Sequence, residues 1–185
     1  MGNGVAANGK LKRTVVLVGM MGSGKTAIGR ALAGRLGVPF LDSDAAIEEA
    51  ASATIAEIFA NDGEAFFRRR EAEVIDRLMS GPPAILSTGG GAFLTPRIRD
   101  GIADKGVAVW LDAPLDLLWE RVRHKDTRPL LRTADPRKTL SEIFDARVPV
   151  YAKADLRVPV ATGYSIDETT DAVVQVLHQR PDILE

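Results

Sequence analysis

The clearest chemical signature in the chain is the run Gly19-Met-Met-Gly-Ser-Gly-Lys-Thr26, which matches the pattern G-x-x-x-x-G-K-[ST] in full. Glycines at this spacing let backbone N–H groups turn inward around phosphate oxygens. Lys25 can reach the β- and γ-phosphates of a nucleotide, and the Thr26 hydroxyl can bind Mg²⁺. A glycine-rich turn without a ligand is the alternative, but the apolar strand before the run and the helix after it favour a phosphate loop. The predicted nucleotide contacts are Gly22, Ser23, Gly24, Lys25, Thr26 and Ala27.

Three classes of protein carry such a loop: small-molecule kinases, GTPase switches and ATPase motors. A GTPase switch would have an N-K-x-D motif that binds guanine, and the sequence has none. A motor usually needs a longer core and an acidic strand that binds the metal. A chain of 185 residues therefore favours a kinase that closes over a small acceptor.

Two carboxylates, Asp42 and Asp44, follow the predicted strand Val38–Leu41. In an extended backbone this spacing puts both side chains on one side of the chain. One carboxylate can hold the water shell of Mg²⁺, and the other can accept a hydrogen bond from an acceptor hydroxyl. The alternative is a helix N-cap, since aspartate and serine are both good cap residues. The position at a strand end favours the functional interpretation.

The predicted helix Glu64–Met79 carries a carboxylate within its apolar stripe. At ~100° per residue, Glu71 falls among the apolar residues, and a buried carboxylate needs a cationic partner. Arg68 lies three residues before Glu71 and four after Glu64, so it can pair with both. We expect Arg68 to be held at a protected surface and Arg69 to point into solvent. The alternative is that all the charged residues of this helix form ion pairs on an exposed surface.

A second arginine and a glycine run suggest the nature of the acceptor. Gly89, Gly90 and Gly91 follow the predicted strand Ala84–Thr88, and their N–H groups can approach and bind an anion or a hydroxyl. Arg147 lies among apolar residues of a later helix and also needs an anionic partner. Because guanidinium groups bind carboxylates in a bidentate way, Arg68 and Arg147 together predict a small hydroxy acid.

The polar segment of about residues 123–135 is interpreted as a mobile lid between two helices. Within it, Arg128 precedes a proline and is the candidate for stabilising charge on the transferred phosphoryl group. We interpret His124, Lys125 and Arg132 as ordinary solvated loop residues.

These candidate residues depend on an alternation of strands and helices along the chain. Short apolar strands are predicted at 14–18, 38–41, 84–88, 107–111 and 156–160. Helices are predicted at 26–36, 45–59 in one or two pieces, 64–79, 114–123, 136–148 and 166–178. This alternation predicts an α/β fold with a parallel sheet covered on both faces, whose ligands lie beyond the carboxyl ends of the strands.

Composition limits the choice of partners and location. The 24 basic and 25 acidic side chains give a net charge of −1, which gives no support for a nucleic-acid or anionic-membrane partner. The chain has no cysteine and no apolar run near the ~20 residues of a membrane span. We predict a disordered leader at 1–12, a single domain at 13–180, a cytoplasmic location and a monomer.

Taken together, the motifs resemble the shikimate kinase family of nucleoside-monophosphate-kinase-like P-loop proteins. The resemblance covers about Val15 to Tyr151 and includes the phosphate loop and Asp42-Ser-Asp44. Its most specific parts are the run Gly63-Glu-Ala-Phe-Phe-Arg68-Arg-Arg-Glu71, the triple glycine, Arg128-Pro-Leu-Leu131 and Arg147-Val-Pro-Val-Tyr151.

The resemblance implies a five-stranded parallel sheet of order 2-3-1-4-5 and transfer of the ATP γ-phosphoryl group to the 3-hydroxyl of shikimate. By position, the shikimate-binding residues would be Asp44, Arg68, Gly89, Gly90, Gly91 and Arg147. Lys25 and Arg128 would serve the phosphates, and Lys25, Asp44 and Arg128 would form the catalytic group. Thr26 would hold one Mg²⁺, with Asp42 acting through water. Arg121 would cover adenine, and Glu71 would orient Arg68.

One segment departs from the family pattern, because the often basic adenine loop corresponds here to Ala161-Thr-Gly-Tyr-Ser165. Two other functions remain open from the residues alone: a kinase for another small acceptor such as gluconate, and a nucleotide-binding module without activity. The pair Arg68 and Arg147 with Asp44 favours shikimate over gluconate. The presence of Lys25 and Thr26 together with Asp44 and Arg128 argues against an inactive module.

Overall fold

Five parallel strands form one sheet of order β2-β3-β1-β4-β5 in the computed structural model, which describes residues 9–125 and 129–185. The strands are β1 (Thr14–Val18), β2 (Phe40–Asp42), β3 (Ile85–Ser87), β4 (Gly106–Asp112) and β5 (Leu156–Pro159). Every neighbouring pair in this sheet is parallel. The predicted fold class and strand order are therefore confirmed.

Helices connect the strands in chain order. They are α1 (Lys25–Leu36), α2 (Ser43–Ala51), α3 (Ile55–Met79), α4 (Pro96–Lys105), α5 (Leu115–Val122), α6 (Pro136–Tyr151) and α7 (Ile166–His178). Helix α4 was not predicted, because Ile98 and Ile102 are its only buried residues and two apolar positions make no periodic stripe. None of the helices in the described ranges has both the length and the apolar content needed to cross a membrane.

The segment 45–59, predicted as a helix in one or two pieces, folds as two pieces. Helix α2 ends at Ala51, and α3 begins after a capping box formed by Thr54 and Glu57. Gly63 has φ 82° and ψ 171°, which are not helical values, and it bends α3 just before Glu64. The predicted helix 64–79 is thus the second half of α3, and the bend sets its direction independently of the first half.

Buried apolar side chains hold the sheet in place and fix α2 against α3. All five residues of β1 are buried, and since neighbouring side chains of a strand point to opposite faces, both faces of the sheet are covered. A second cluster joins α2 to both halves of α3 through Ile47, Ile58, Phe67 and Val74. Burial of each such side chain contributes about 1.5–3 kcal/mol, which fixes α3 against α2.

Two residues just outside the predicted domain bounds of 13 and 180 pair with each other, and these bounds stay a prediction. Leu11 forms an antiparallel bridge with Leu184, and both side chains are buried. Residues 1–8 of the predicted leader and residues 126–128 of the predicted lid, including Arg128, lie outside the described residues. The lid therefore stays a prediction.

Candidate active site

The phosphate loop connects β1 to α1 through backbone conformations that favour glycine. Gly22 and Gly24 have φ values of 80° and 97°, in the left-handed region where a β-carbon is unfavourable. Gly24 is the N-cap of α1 and makes no side-chain capping bond. The first N–H groups of α1 therefore have no side-chain cap and can donate to an anion.

Two polar side chains of the loop fit a phosphate ligand. The Lys25 ammonium donates to the carbonyl oxygens of Gly19 at 2.8 Å and Met20 at 2.9 Å, so it lies against the loop. The Ser23 hydroxyl is buried without a hydrogen-bond partner in the part of the chain that the structure describes. Since an unpaired buried hydroxyl is unfavourable, a phosphate oxygen at this loop would satisfy it.

A cavity of about 600 Å³ contains the loop in its wall. The predicted site residues that line it are Gly22, Ser23, Gly24, Lys25, Thr26, Ala27, Asp42, Asp44, Gly89, Gly90 and Arg121. Gly91 is not in the lining, and neither are Arg68 and Arg147, but these two arginines lie against Gly91 and Gly90. The structure thus brings the described residues that were predicted to bind the nucleotide and the acceptor to the same edge of the sheet.

The wall of the cavity also includes residues from α5, from the loop before α7 and from the start of α7. Arg121, in the last turn of α5, donates to the Gly22 carbonyl at 2.9 Å. Tyr164 and Ile166 line the same cavity and are 50% and 52% exposed. Tyr164 and Ile166 were not predicted as site residues, and the available signal was two large apolar residues beside the start of the predicted helix 166–178. Lys125 also lines the cavity, which differs from its interpretation as an ordinary loop residue.

Asp42 and Asp44 occupy different elements, so the predicted extended arrangement is wrong. Asp42 ends β2 and caps α2 by accepting a hydrogen bond from the Ala45 N–H at 3.1 Å, whereas Asp44 lies in the first helical turn. The cap interpretation therefore holds for Asp42, and both carboxylates still line the cavity. Thr26 lines it too, and a hydroxyl with a carboxylate is an oxygen donor set that fits Mg²⁺.

The environment of Asp44 makes its carboxylate hold a proton more tightly than it would in water. Burial raises the pKa of Asp44 above its ordinary value, and the nearby carboxylate of Asp42 raises it further. The positive charges of Lys25 and Arg68 lower it but do not cancel the rise. A carboxylate with a raised pKa is a better proton acceptor than one in water, which fits the predicted role of Asp44 toward an acceptor hydroxyl.

The buried carboxylate in α3 is paired as the helix pattern predicted. Glu71 is 1% exposed and accepts a hydrogen bond from Arg68 at 2.8 Å, while Glu64 approaches the same guanidinium at 3.7 Å. Burial raises the pKa of Glu71, and the hydrogen bond from Arg68 opposes this. Arg69 is exposed. The predicted pairing of Arg68 with both acids is therefore confirmed, and so is the exposed position of Arg69.

The three consecutive glycines each face one charged side chain of the acceptor group. A β-carbon on Gly89 would lie 2.8 Å from Oδ1 of Asp44, and one on Gly90 would lie 3.1 Å from Nη1 of Arg147. A β-carbon on Gly91 would lie 2.5 Å from Nη2 of Arg68. A side chain at any of these three positions would therefore displace the charged group that faces it. One carboxylate and two guanidinium groups converge on the run, and glycine lets them approach this closely.

The glycine run also borders the phosphate loop. A β-carbon on Gly90 would lie 3.8 Å from the backbone nitrogen of Met21 and 3.9 Å from the carbonyl oxygen of Gly19. An anion beside Gly90 and Arg147 would thus be close to the phosphates. No carboxylate within the described ranges forms a salt bridge with Arg147, which is half-buried, so no described carboxylate competes with a bound anion for this guanidinium.

One buried contact at the glycine run was missed by sequence reasoning. The hydroxyl of Tyr151, a residue with no exposed surface, donates to the Gly90 carbonyl at 2.5 Å. The two residues are 61 positions apart, so no local pattern links them. The available signal was that a tyrosine on the apolar stripe of Arg147 needs a hydrogen-bond partner for its hydroxyl.

The sequence of this chain is similar to known proteins over most of its length. A family model described as shikimate kinase matches residues 21–178. A shikimate kinase of Ruegeria pomeroyi is 62% identical over 175 residues, which cover 95% of this chain and 90% of the relative. The similarity thus extends over nearly all of both chains.

Solved structures agree with the sequence comparison. A shikimate kinase of Acinetobacter baumannii, solved in complex with shikimate, matches with a TM-score of 0.82 and 35% identity. The match covers 91% of this chain and 94% of the other. A gluconokinase of Sinorhizobium meliloti matches with a TM-score of 0.62 and 18% identity, covering 94% and 96% of the two chains, which shows a shared fold alone.

Proposed function

This chain belongs to the shikimate kinase family, and we propose that it transfers the γ-phosphoryl group of ATP to the 3-hydroxyl of shikimate. The products are shikimate 3-phosphate and ADP. The observation that carries this proposal is the convergence of Asp44, Arg68 and Arg147 on one glycine run that borders the phosphate loop. Such a group binds an acid at one end and meets a hydroxyl at the other.

Two guanidinium groups bind the carboxylate of the acceptor. Arg68 is held by Glu71 and Glu64, so little side-chain entropy is lost when it binds an anion. Arg147 contributes the second positive charge beside Gly90. Charge-assisted hydrogen bonds of this kind contribute about 1.5–3 kcal/mol each, and the N–H groups of Gly89, Gly90 and Gly91 add donors.

Asp44 accepts the proton of the reacting hydroxyl. As the bond forms between the 3-oxygen and the γ-phosphorus, the bond from that phosphorus to the β–γ bridging oxygen breaks and ADP leaves. The proton of the hydroxyl passes to Asp44, whose raised pKa suits this task. Its position against Gly89 directs the carboxylate toward the acceptor end of the cavity.

The phosphates are stabilised by positive charge from several sides. The N–H groups of the loop and Lys25 bind the β- and γ-phosphates, and Arg128 adds charge to the transferred group on the resemblance to the family. Thr26 and, through water, Asp42 would hold one Mg²⁺. When bound, this ion neutralises charge on the phosphate oxygens.

The adenine end of ATP lies at the far end of the cavity. Arg121, fixed by its bond to the Gly22 carbonyl, covers one face of the base. Tyr164 and Ile166, which line the same cavity, supply apolar contacts there. The enzyme acts on a small molecule, and we place it as a monomer in the cytoplasm, which sedimentation and fractionation would test.

A coupled assay of ADP release with shikimate, quinate and gluconate tests the proposal. We expect turnover with shikimate, and none or far less with gluconate, which has no ring to place its hydroxyl opposite the carboxylate. Turnover with gluconate and none with shikimate would reject the acceptor. No turnover with any of the three acids would favour a nucleotide-binding module.

A further inference from the structure

Each carbonyl of the glycine run accepts a hydrogen bond, and only one of these bonds comes from a distant element among the described residues. The Gly89 carbonyl accepts from Ala92 N–H at 3.1 Å and the Gly91 carbonyl from Leu94 N–H at 3.2 Å. These are local turns. The Gly90 carbonyl accepts instead from the hydroxyl of Tyr151 at the end of α6.

This bond restrains the most flexible backbone of the site. Three consecutive glycines have no β-carbons to limit their dihedral angles, so their orientation must be set from outside. A peptide group is planar and trans, and the described chain has no cis peptide. Holding the Gly90 carbonyl therefore also fixes the direction of the Gly91 N–H, which points to the opposite side.

The same tyrosine fixes the helix turn that carries Arg147. Arg147 lies four residues before Tyr151, so the two share one face of α6. Pro149 lies between them and cannot donate the helical hydrogen bond, which weakens this last turn. The Tyr151 ring packs on Trp110 with centroids 6.3 Å apart. The ring and the hydroxyl thus attach a weakened helix end to the sheet and to the glycines.

We propose that Tyr151 is a positioning residue that orients the glycine run and Arg147 for the acceptor acid, without itself touching substrate. The inference rests on the proposed function, which assigns the acceptor acid to the glycine run and the charged side chains that face it. Burial raises the pKa of Tyr151, although the Arg147 guanidinium opposes the rise. The phenol therefore stays protonated at neutral pH and remains a hydrogen-bond donor.

The substitution Tyr151→Phe removes the hydroxyl and keeps the ring. We expect the KM and the equilibrium dissociation constant for shikimate to rise about tenfold, since a buried acceptor loses its donor. The KM for ATP and the kcat should stay within about threefold, because the bond of this hydroxyl goes to the glycine run and not to the phosphate loop. A parallel loss for both substrates would indicate a merely structural role and overturn the proposal.

The matched control is Thr14→Val, which removes another buried hydroxyl that bonds a backbone group. Thr14 accepts from the Ala84 N–H at 3.3 Å at the first residue of β1, the opposite edge of the sheet from the site. We expect a lower Tm with an unchanged KM for shikimate. If this variant raises the KM for shikimate as much as Tyr151→Phe does, the effect is global and the proposal fails.

A second measurement does not depend on the folding of any variant at position 151. The chain has two tyrosines, so ¹⁹F NMR of protein labelled with 3-fluorotyrosine gives two resonances, and Tyr164→Phe assigns them. Saturating shikimate should shift the Tyr151 resonance, and an unmoved resonance would overturn the proposal. If the unlabelled wild-type protein shows no shikimate binding or turnover, the proposed function fails, which is a distinguishable result.

Discussion

The substitution Gly91→Ala tests whether Arg68 binds the acceptor from the position that the structure gives it. A β-carbon there would lie 2.5 Å from Nη2 and 2.9 Å from Nη1 of Arg68. Ordinary carbon contacts are about 3.5–4 Å, so the guanidinium must retreat by about 1 Å. Gly91 has φ −90°, which alanine adopts without strain. The substitution therefore acts through Arg68 and not through the backbone.

The expected loss is confined to acceptor binding. The displaced atoms are the far end of a flexible side chain, so the free energy of unfolding should change little. The guanidinium, however, leaves the position in which it binds the carboxylate. Loss of one charge-assisted interaction costs about 1.5–3 kcal/mol, which corresponds to about 10- to 150-fold weaker binding.

Isothermal titration with shikimate and thermal unfolding measure these two quantities on the same sample. The control is Gly101→Ala in α4, where an added β-carbon meets nothing within 4 Å. It should raise the helix stability by about 1 kcal/mol and leave shikimate affinity unchanged. Wild-type affinity in Gly91→Ala would refute the assignment of Arg68 to the acceptor.

Three further outcomes are expected. Lys25→Ala should remove about 3 kcal/mol of transition-state stabilisation and so reduce kcat on the order of 100-fold. A near-normal kcat in the ADP-release assay would contradict the role of Lys25 at the phosphates. Arg68→Ala should raise the KM for shikimate, while exposed Arg69→Ala should not, and equal effects would exclude a specific clamp. Asp44→Asn should abolish turnover yet raise the Tm at pH 7. The raised pKa of Asp44 means that the folded state binds the proton more tightly, so the wild type loses stability as pH rises above the ordinary value of 3.8. The gain in Tm should disappear near pH ~3, where Asp44 is protonated in both the folded and the unfolded state. A gain that stays constant with pH would show that the raised pKa of Asp44 is not its cause.

The sequence predicted those parts of the site that depend on local pattern. The phosphate loop follows from glycine and lysine spacing, and the Arg68–Glu71 pair follows from a carboxylate inside an apolar helical stripe. Both depend on residues within one or two turns of each other. The strand order came from the resemblance to a family, because propensity alone does not choose among the possible orders of five strands.

The parts that could not be predicted depend on long-range contacts or on weak local signals. Helix α4 has only two buried residues, so no stripe indicated it. The start of α2 at Ser43 is set by the cap that Asp42 provides, and an extended segment was the equally reasonable reading of the same residues. The contact of Tyr151 with Gly90 joins positions 61 residues apart, and only the packed fold brings them together.

A crystal structure of this chain with ADP, Mg²⁺ and shikimate would show how the acceptor binds. We expect the shikimate carboxylate to lie within hydrogen-bond distance of both Arg68 and Arg147. We also expect the 3-hydroxyl to lie against Asp44 and to face the phosphate loop. A bound shikimate whose carboxylate is turned away from both arginines, or whose 3-hydroxyl points away from the nucleotide, would contradict the proposed function.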